Sequence, residues 1–252
     1  MTEYKILQCK NAIITGANRG IGQATMRLFA ESGCNVWACC RKPFETFQQE
    51  INQLQDEHHV WIQPVYFDLQ NSDEIKNAVK EIRERKENID ILVNNAGVEQ
   101  KGSLFQMTPI EVFRQIFDVN VFAQIEFSQL ITKLMMRNRK GSVINLISVA
   151  GLDMTSGYMA YSASKAAMAS VTKTMASELC GYGIRVNGVA PGIAQTDMAM
   201  GLTEQARENT KDASLMKRIA DPREIAEVIR FLASDNSSYM TGQIVRADGG
   251  MA

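Results

Sequence analysis

Short apolar runs alternate with stretches of helical periodicity from one end of the chain to the other. Ala12–Thr15, Val36–Cys40, Val60–Tyr66, Ile89–Val93, Ser142–Ile147, Ile184–Val189 and Ile244–Arg246 read as strands. Between them Gly20–Ser32, Phe44–Asp56, Ser72–Lys86, Tyr158–Cys180 and Pro222–Ala233 have helical spacing, and Thr108–Asn138 holds two helices or one bent helical stretch. Continuous apolar strands joined through helices predict an α/β fold, a parallel sheet covered by helices on both faces. A closed eight-unit barrel needs units of similar size. The long segment between the fourth and fifth strands suits an open, doubly wound sheet of about seven strands instead. No linker, repeat or low-complexity segment interrupts the pattern, so residues 1–252 are expected to form one domain.

The charge balance narrows the partners. The net charge of -1 offers no basic stripe for nucleic acid or a membrane surface, and no apolar run approaches the roughly 20 residues that span a bilayer. Met1–Lys10 is polar, unlike a secretory leader. Cys9, Cys34, Cys39, Cys40 and Cys180 form no C-x-x-C pair and are odd in number, which predicts reduced, mostly buried thiols and a cytoplasmic setting. His58 and His59 stand alone in a polar connection, away from any metal-ligand spacing or Ser-His-Asp arrangement. The alternating charges of Glu81–Glu87 read as a solvated helix face.

Thr15-Gly16-Ala17-Asn18-Arg19-Gly20-Ile21-Gly22 follows the first strand and opens the first helix. Glycines let the backbone turn tightly and approach a pyrophosphate, and the helix start offers unpaired N–H groups to it. The spacing is G-x-x-x-G-x-G, without the Lys-Ser/Thr of a P-loop, and a ligand-free βα turn is the bland alternative. With a phosphate-binding turn the sheet becomes Rossmann-type. In such sheets an acidic residue ending the second strand holds the ribose 2′-OH of NAD, whereas an Arg accepts the 2′-phosphate of NADP. Here Arg41 stands at that place and Arg19 lies in the turn, which points to NADP(H). A solvated strand-end arginine is the alternative.

Tyr161 and Lys165 are four residues apart on a predicted helix and share a face. A free phenol, with a pKa of about 10, is a poor acid–base group at neutral pH. A nearby cation is expected to lower it, so that Tyr161 can move a proton while a carbonyl is reduced.

Taken in order, the turn Thr15–Gly22, Asn94-Asn95-Ala96-Gly97, Ser148, Tyr161/Lys165 and Pro191-Gly192 all fall at the C-terminal ends of predicted strands or just beyond. With these motifs the chain, from Asn11 to Gly250, resembles the short-chain dehydrogenase/reductase family. The resemblance implies that Tyr161 is the acid/base, that Lys165 lowers its pKa and binds the nicotinamide ribose, and that Ser148 hydrogen-bonds the substrate carbonyl. It implies that Asn120 holds a proton-relay water next to the lysine. For the cofactor it implies Gly16, Asn18, Arg19, Gly20, Ile21, Gly22 and Arg41 at the phosphates, and Asp68 with Leu69 at the adenine. Asn95, Ala96 and Gly97 would lie beside the adenine ribose, and Pro191, Gly192, Ile193 and Thr196 around the nicotinamide. Singly, Asn120 could kink or cap a helix, Ser148 close a turn, and Asp68 cap the third helix.

Within the family the pattern is similar to the 3-oxoacyl-carrier-protein reductases, notably in Thr196-Asp197-Met198, Phe231–Asp235 and Asp248-Gly249-Gly250. This implies NADPH-dependent reduction of a small-molecule ketone, a 3-oxoacyl thioester with or without its carrier protein. Arg137, Arg139 and Lys140 are candidates for carrier docking near the pocket. An NAD-dependent alcohol, steroid or sugar dehydrogenase of the same family is the alternative, and a non-enzymatic NADP-binding regulator a further one. A lid is expected around residues 193–218. Met154, Met159, Met198, Met200, Leu202 and Met216 are expected to wall the pocket or to pack elsewhere. The family also implies a homotetramer paired through the long helices Pro109–Asn138 and Tyr158–Cys180.

Overall fold

The computed structural model describes residues 5–100, 102–153, 155–196, 208 and 211–251. Seven strands form one sheet: β1 (Asn11–Thr15), β2 (Asn35–Cys40), β3 (Ile62–Tyr66), β4 (Ile91–Asn94), β5 (Gly141–Leu146), β6 (Ile184–Pro191) and β7 (Ile244–Ala247). Their order is β3-β2-β1-β4-β5-β6-β7, and every pairing is parallel. The described helices are α1 (Gly20–Glu31), α2 (Glu45–His58), α3 (Ser72–Glu84), α4 (Ile110–Phe117), α5 (Ala123–Asn138), α6 (Met159–Leu179) and α7 (Pro222–Ala233). A π-helical turn, Asp118–Phe122, joins α4 to α5, so the long stretch is one bent helix.

Successive side chains of a strand point to opposite sides, and β1, β2, β4, β5 and β6 are buried on both faces, whereas the edge strands β3 and β7 are only partly buried. Ile14, Val36 and Ala38 face α1, α2 and α7, against Phe29, Ile51 and Ile229. Ile13, Trp37 and Leu92 face the other way, against Ile82 of α3 and Phe127 and Ile131 of α5. Cys39 and Cys40 split between these two cores. All five cysteines are free. Cys34, Cys39 and Cys40 are buried, whereas Cys9 and Cys180 are exposed, so the expectation of burial holds for three of the five. Among the described residues no helix is long and apolar enough to cross a membrane.

A polar ladder runs through the second core just behind the strand ends. Asn94 Nδ2 donates to Ser128 Oγ at 2.7 Å and to Asn145 Oδ1 at 2.8 Å. Asn145 Nδ2 donates to Thr172 Oγ1 at 2.8 Å, whose hydroxyl donates to the Met168 carbonyl. The ladder ties β4 and β5 to α5 and α6. Replacing Asn145 by Leu removes two of its bonds and strands part of Asn94 in an apolar core. The expected loss is about 2 kcal/mol, read as a lower urea midpoint with an unchanged slope.

Candidate active site

The chain leaves β1 into α1 on one face of the sheet and leaves β4 toward α5 on the other, opening a crevice at the strand ends where doubly wound sheets bind ligands. A cleft of about 830 Å³ lies there. Gly16 and Gly20 take left-handed backbone, with φ of 67° and 55°. Gly22 packs on the turn itself: a Cβ there would stand 2.1 Å from the Gly16 carbonyl oxygen. Arg19 precedes α1 in an extended conformation. The Arg19 side chain makes no cap for α1 and no acid sits in its first turn, which suits that helix start to an anion. Asn95 braces the turn, its Nδ2 donating to the Thr15 carbonyl at 2.8 Å and the Gly16 carbonyl at 3.2 Å. These features fit a dinucleotide pyrophosphate.

At one end of the cleft Arg41 and its neighbour Lys42 are exposed beyond β2, and Asp68 and Leu69 follow β3. The cap of α3 is Asn71, whose side chain accepts from Asp73 and Glu74. Asp68 instead accepts from the Gln70 N–H. Pro191, Gly192, Ile193 and Thr196 line the cleft after β6, with Ala96 and Gly97 after β4.

Ser148, Tyr161 and Lys165 converge at the other end. Ser148 caps a short 3-10 turn, Val149–Gly151, through its hydroxyl. Lys165 is buried. Its Nζ donates to the Leu146 carbonyl at 2.7 Å and lies 5.8 Å from the centre of the Tyr161 ring. The expected depression of the phenol is not the net effect. Burial pushes Tyr161 up to about 12, opposed by its hydrogen bond with Ser148 and reinforced by the Glu99 carboxylate. Burial also draws Lys165 down to about 8. Enclosure disfavours both charged forms, and the ammonium is turned to a backbone carbonyl. Tyr161 therefore holds its proton at neutral pH.

Asn120 and Gly22 do not line the cleft. Asn120 is 1% exposed in the π-helical turn, where its Oδ1 accepts from Val98 N and its Nδ2 donates to the Val98 carbonyl and to Ser164 Oγ. Both amide hydrogens are committed, so the side chain supports the loop after β4. Of the expected pocket wall, Met154, Met198, Met200 and Leu202 lie outside the described residues, as do 197–207, 209 and 210 of the expected lid. Met159 and Met216 are exposed and line no part of the cleft, whereas Met251 does. Arg137, Arg139 and Lys140 are not near the pocket. They end α5 just before β5 begins, at the opposite end of the sheet. There Arg139 reaches the Gly181 carbonyl and Lys140 pairs with Asp235. Sequence reasoning missed Lys42, Glu99 and Tyr158, which all line the cleft. Lys42 was legible as the neighbour of Arg41; Glu99 belongs to a loop with no periodicity, and Tyr158 was placed only as the first residue of a helix. No group of His, Cys, Asp or Glu able to hold a metal occurs among the described residues.

A family model described as Enoyl-(Acyl carrier protein) reductase matches residues 16–252. The 3-oxoacyl-[acyl-carrier-protein] reductase FabG of Thermotoga maritima is 38% identical over 247 residues, 97% of this chain and 98% of the relative. A 3alpha-hydroxysteroid dehydrogenase of Mediterraneibacter gnavus is 36% identical over 249 residues, 98% of each. Among solved structures, a putative gluconate dehydrogenase from Agrobacterium tumefaciens superposes with a TM-score of 0.93 at 26% identity, covering 98% of each chain. A 3-oxoacyl-[acyl-carrier protein] reductase from Brucella melitensis superposes at 0.87 with 30% identity, covering 98% of this chain and 92% of its own.

The electrostatics make a direct prediction. By NMR of ring-labelled tyrosine, Tyr161 should titrate above the ordinary phenol value of about 10. Glu99→Gln should lower that value, since one negative neighbour is removed. A phenol titrating below the ordinary value would contradict the dominance of burial.

Proposed function

The chain belongs to the short-chain dehydrogenase/reductase family, and on that footing we propose that this oxidoreductase reduces a 3-oxoacyl thioester to the alcohol with NADPH. The observation that carries the reading is the convergence of Ser148, Tyr161 and Lys165 at one end of a cleft whose other end carries a glycine turn and a pair of cations. When bound, the reduced nicotinamide supplies a hydride to the carbonyl carbon. Ser148 donates a hydrogen bond to the carbonyl oxygen and Tyr161 gives that oxygen its proton. Lys165, held at the Leu146 carbonyl, steadies the phenolate left behind and returns a proton to it. Asn120 supports this end of the site through the Val98 backbone.

The turn Gly16–Gly22 is the proposed pyrophosphate cradle, with Asp68 and Leu69 at the adenine and Asn95–Gly97 at its ribose. Pro191–Ile193 and Thr196 would enclose the nicotinamide. The preference for NADPH is argued from Arg41 and Lys42: a phosphate dianion meets two cations and no carboxylate at the end of β2. A thioester substrate is supported by the Thermotoga relative, with or without a carrier protein. The Mediterraneibacter relative favours a second reading, in which the same groups act on a hydroxysteroid. The proposed setting is the cytoplasm, which suits NADPH and free thiols. The proposed assembly is a homotetramer of one-domain subunits, with 193–218 as the lid. Phe122, 59% exposed on the bent helix, is apolar surface of the kind a second copy covers.

NADPH oxidation with an acetoacetyl thioester, run beside NADH, tests this reading. Turnover should favour NADPH, and Arg41→Asp should narrow the preference by about tenfold or more. Faster turnover with NADH would overturn the cofactor assignment. Turnover of a hydroxysteroid but not the thioester would favour the second reading.

A further inference from the structure

The first N–H groups of a helix have no partner within it. At α6 the residue before the helix, Tyr158, supplies no side-chain cap. Two of these N–H groups are instead taken by one side chain from the loop after β4. Gln100 Oε1 accepts from Ala160 N at 2.8 Å and from Tyr161 N at 3.2 Å. Its Nε2 donates to the Gly157 carbonyl at 3.1 Å, which also accepts from Ser103 N at 2.9 Å. The residue is 4% exposed. Its orientation is determined, because only the oxygen can accept two N–H groups and only the nitrogen can serve a carbonyl. The loop carrying it is itself fixed, since both backbone groups of Val98 are bound to Asn120.

We propose that Gln100 is a positioning residue for the reaction: its amide sets the place of the first turn of α6, and with it the Tyr161 phenol relative to Ser148. The proposal rests on the reading of Tyr161 as the proton donor. The rest of α6 has separate anchorage, through Met168, Thr172 and Ala176 in the cores. Loss of the cap therefore frees the turn that carries Tyr161 while the fold stays. An error of this kind acts on the chemical step more than on binding, because small displacements of a proton donor are costly.

The test compares Gln100→Met, of similar length with no hydrogen-bonding group, with Gln100→Glu, whose buried, protonated carboxyl keeps an acceptor for both N–H groups and a donor for the Gly157 carbonyl. Asn187→Leu serves as the control. Its buried amide also bridges two backbone groups, Met240 O and Gln243 N, away from the reacting end. In Gln100→Met, kcat should fall about tenfold to a hundredfold, with KM and NADPH affinity within about twofold. Gln100→Glu should restore kcat to within about threefold of the wild type, and Asn187→Leu should lose stability while keeping kcat. A folded Gln100→Met with wild-type kcat, or an equal fall in Asn187→Leu, would overturn the proposal. If Gln100→Met does not fold, Gln100→Glu decides: a kcat near wild type supports the positioning role, and a folded protein with collapsed kcat overturns it. Ser148→Ala, measured alongside, separates the two levels. If it keeps full turnover, the reading of the site fails. If it falls while Gln100→Met does not, only the positioning role fails.

Discussion

Thr15 and Asn95 hold together the ends of two adjacent strands whose chains depart on opposite faces of the sheet. Thr15 Oγ1 accepts from the N–H groups of Asn95 and Ala96, both at 3.0 Å, while the Asn95 amide donates back to Thr15 and Gly16. The crevice between β1 and β4 exists because the winding reverses there. This reciprocal clamp gives it a fixed floor. From one side of the clamp rises the glycine turn, with Gly22 packed against Gly16. From the other rises the loop that carries Val98, Glu99 and Gln100 toward α6. The proposed cofactor cradle and the proposed reacting end are thus two arms of one set of hydrogen bonds.

Burial is the second organising influence. It raises the phenol of Tyr161 and lowers the ammonium of Lys165, so two groups that titrate close together when free are driven apart. In the proposed reaction a raised phenol keeps its proton until a carbonyl oxygen gains negative charge, and a lysine drawn toward neutral pH releases its own proton to the phenolate that follows. The Leu146 carbonyl gives the buried ammonium its hydrogen bond, which offsets part of the cost of holding the charge in the interior.

Most of the fold was legible in the sequence, because strands buried largely on both faces write themselves as short, apolar-rich runs. All seven strands fall where the runs place them, with ends shifted by two residues at most. The turn Gly16–Gly22, Tyr161 and Lys165 were legible because glycines at a βα turn and a Tyr/Lys pair at helical spacing carry local geometry, whereas Ser148 was reached only through the family resemblance. Gln100 and Glu99 were not: they act where a loop meets a helix sixty residues away, and no periodicity records that meeting. Arg137, Arg139 and Lys140 mislead for a related reason. Charge is visible in sequence, but which end of a parallel sheet it occupies depends on the helix running back before β5. The sign of the Tyr161 shift was hidden as well, since proximity of Lys165 is legible and depth of burial is not.

The central claim is that Tyr161 supplies the proton as the carbonyl is reduced. It is tested most directly by single-turnover stopped-flow measurement of NADPH oxidation in Tyr161→Phe, with cofactor affinity measured on the same protein. The account predicts a rate lowered by at least about a hundredfold with affinity nearly unchanged. A rate close to the wild type, at equal cofactor occupancy, would contradict it.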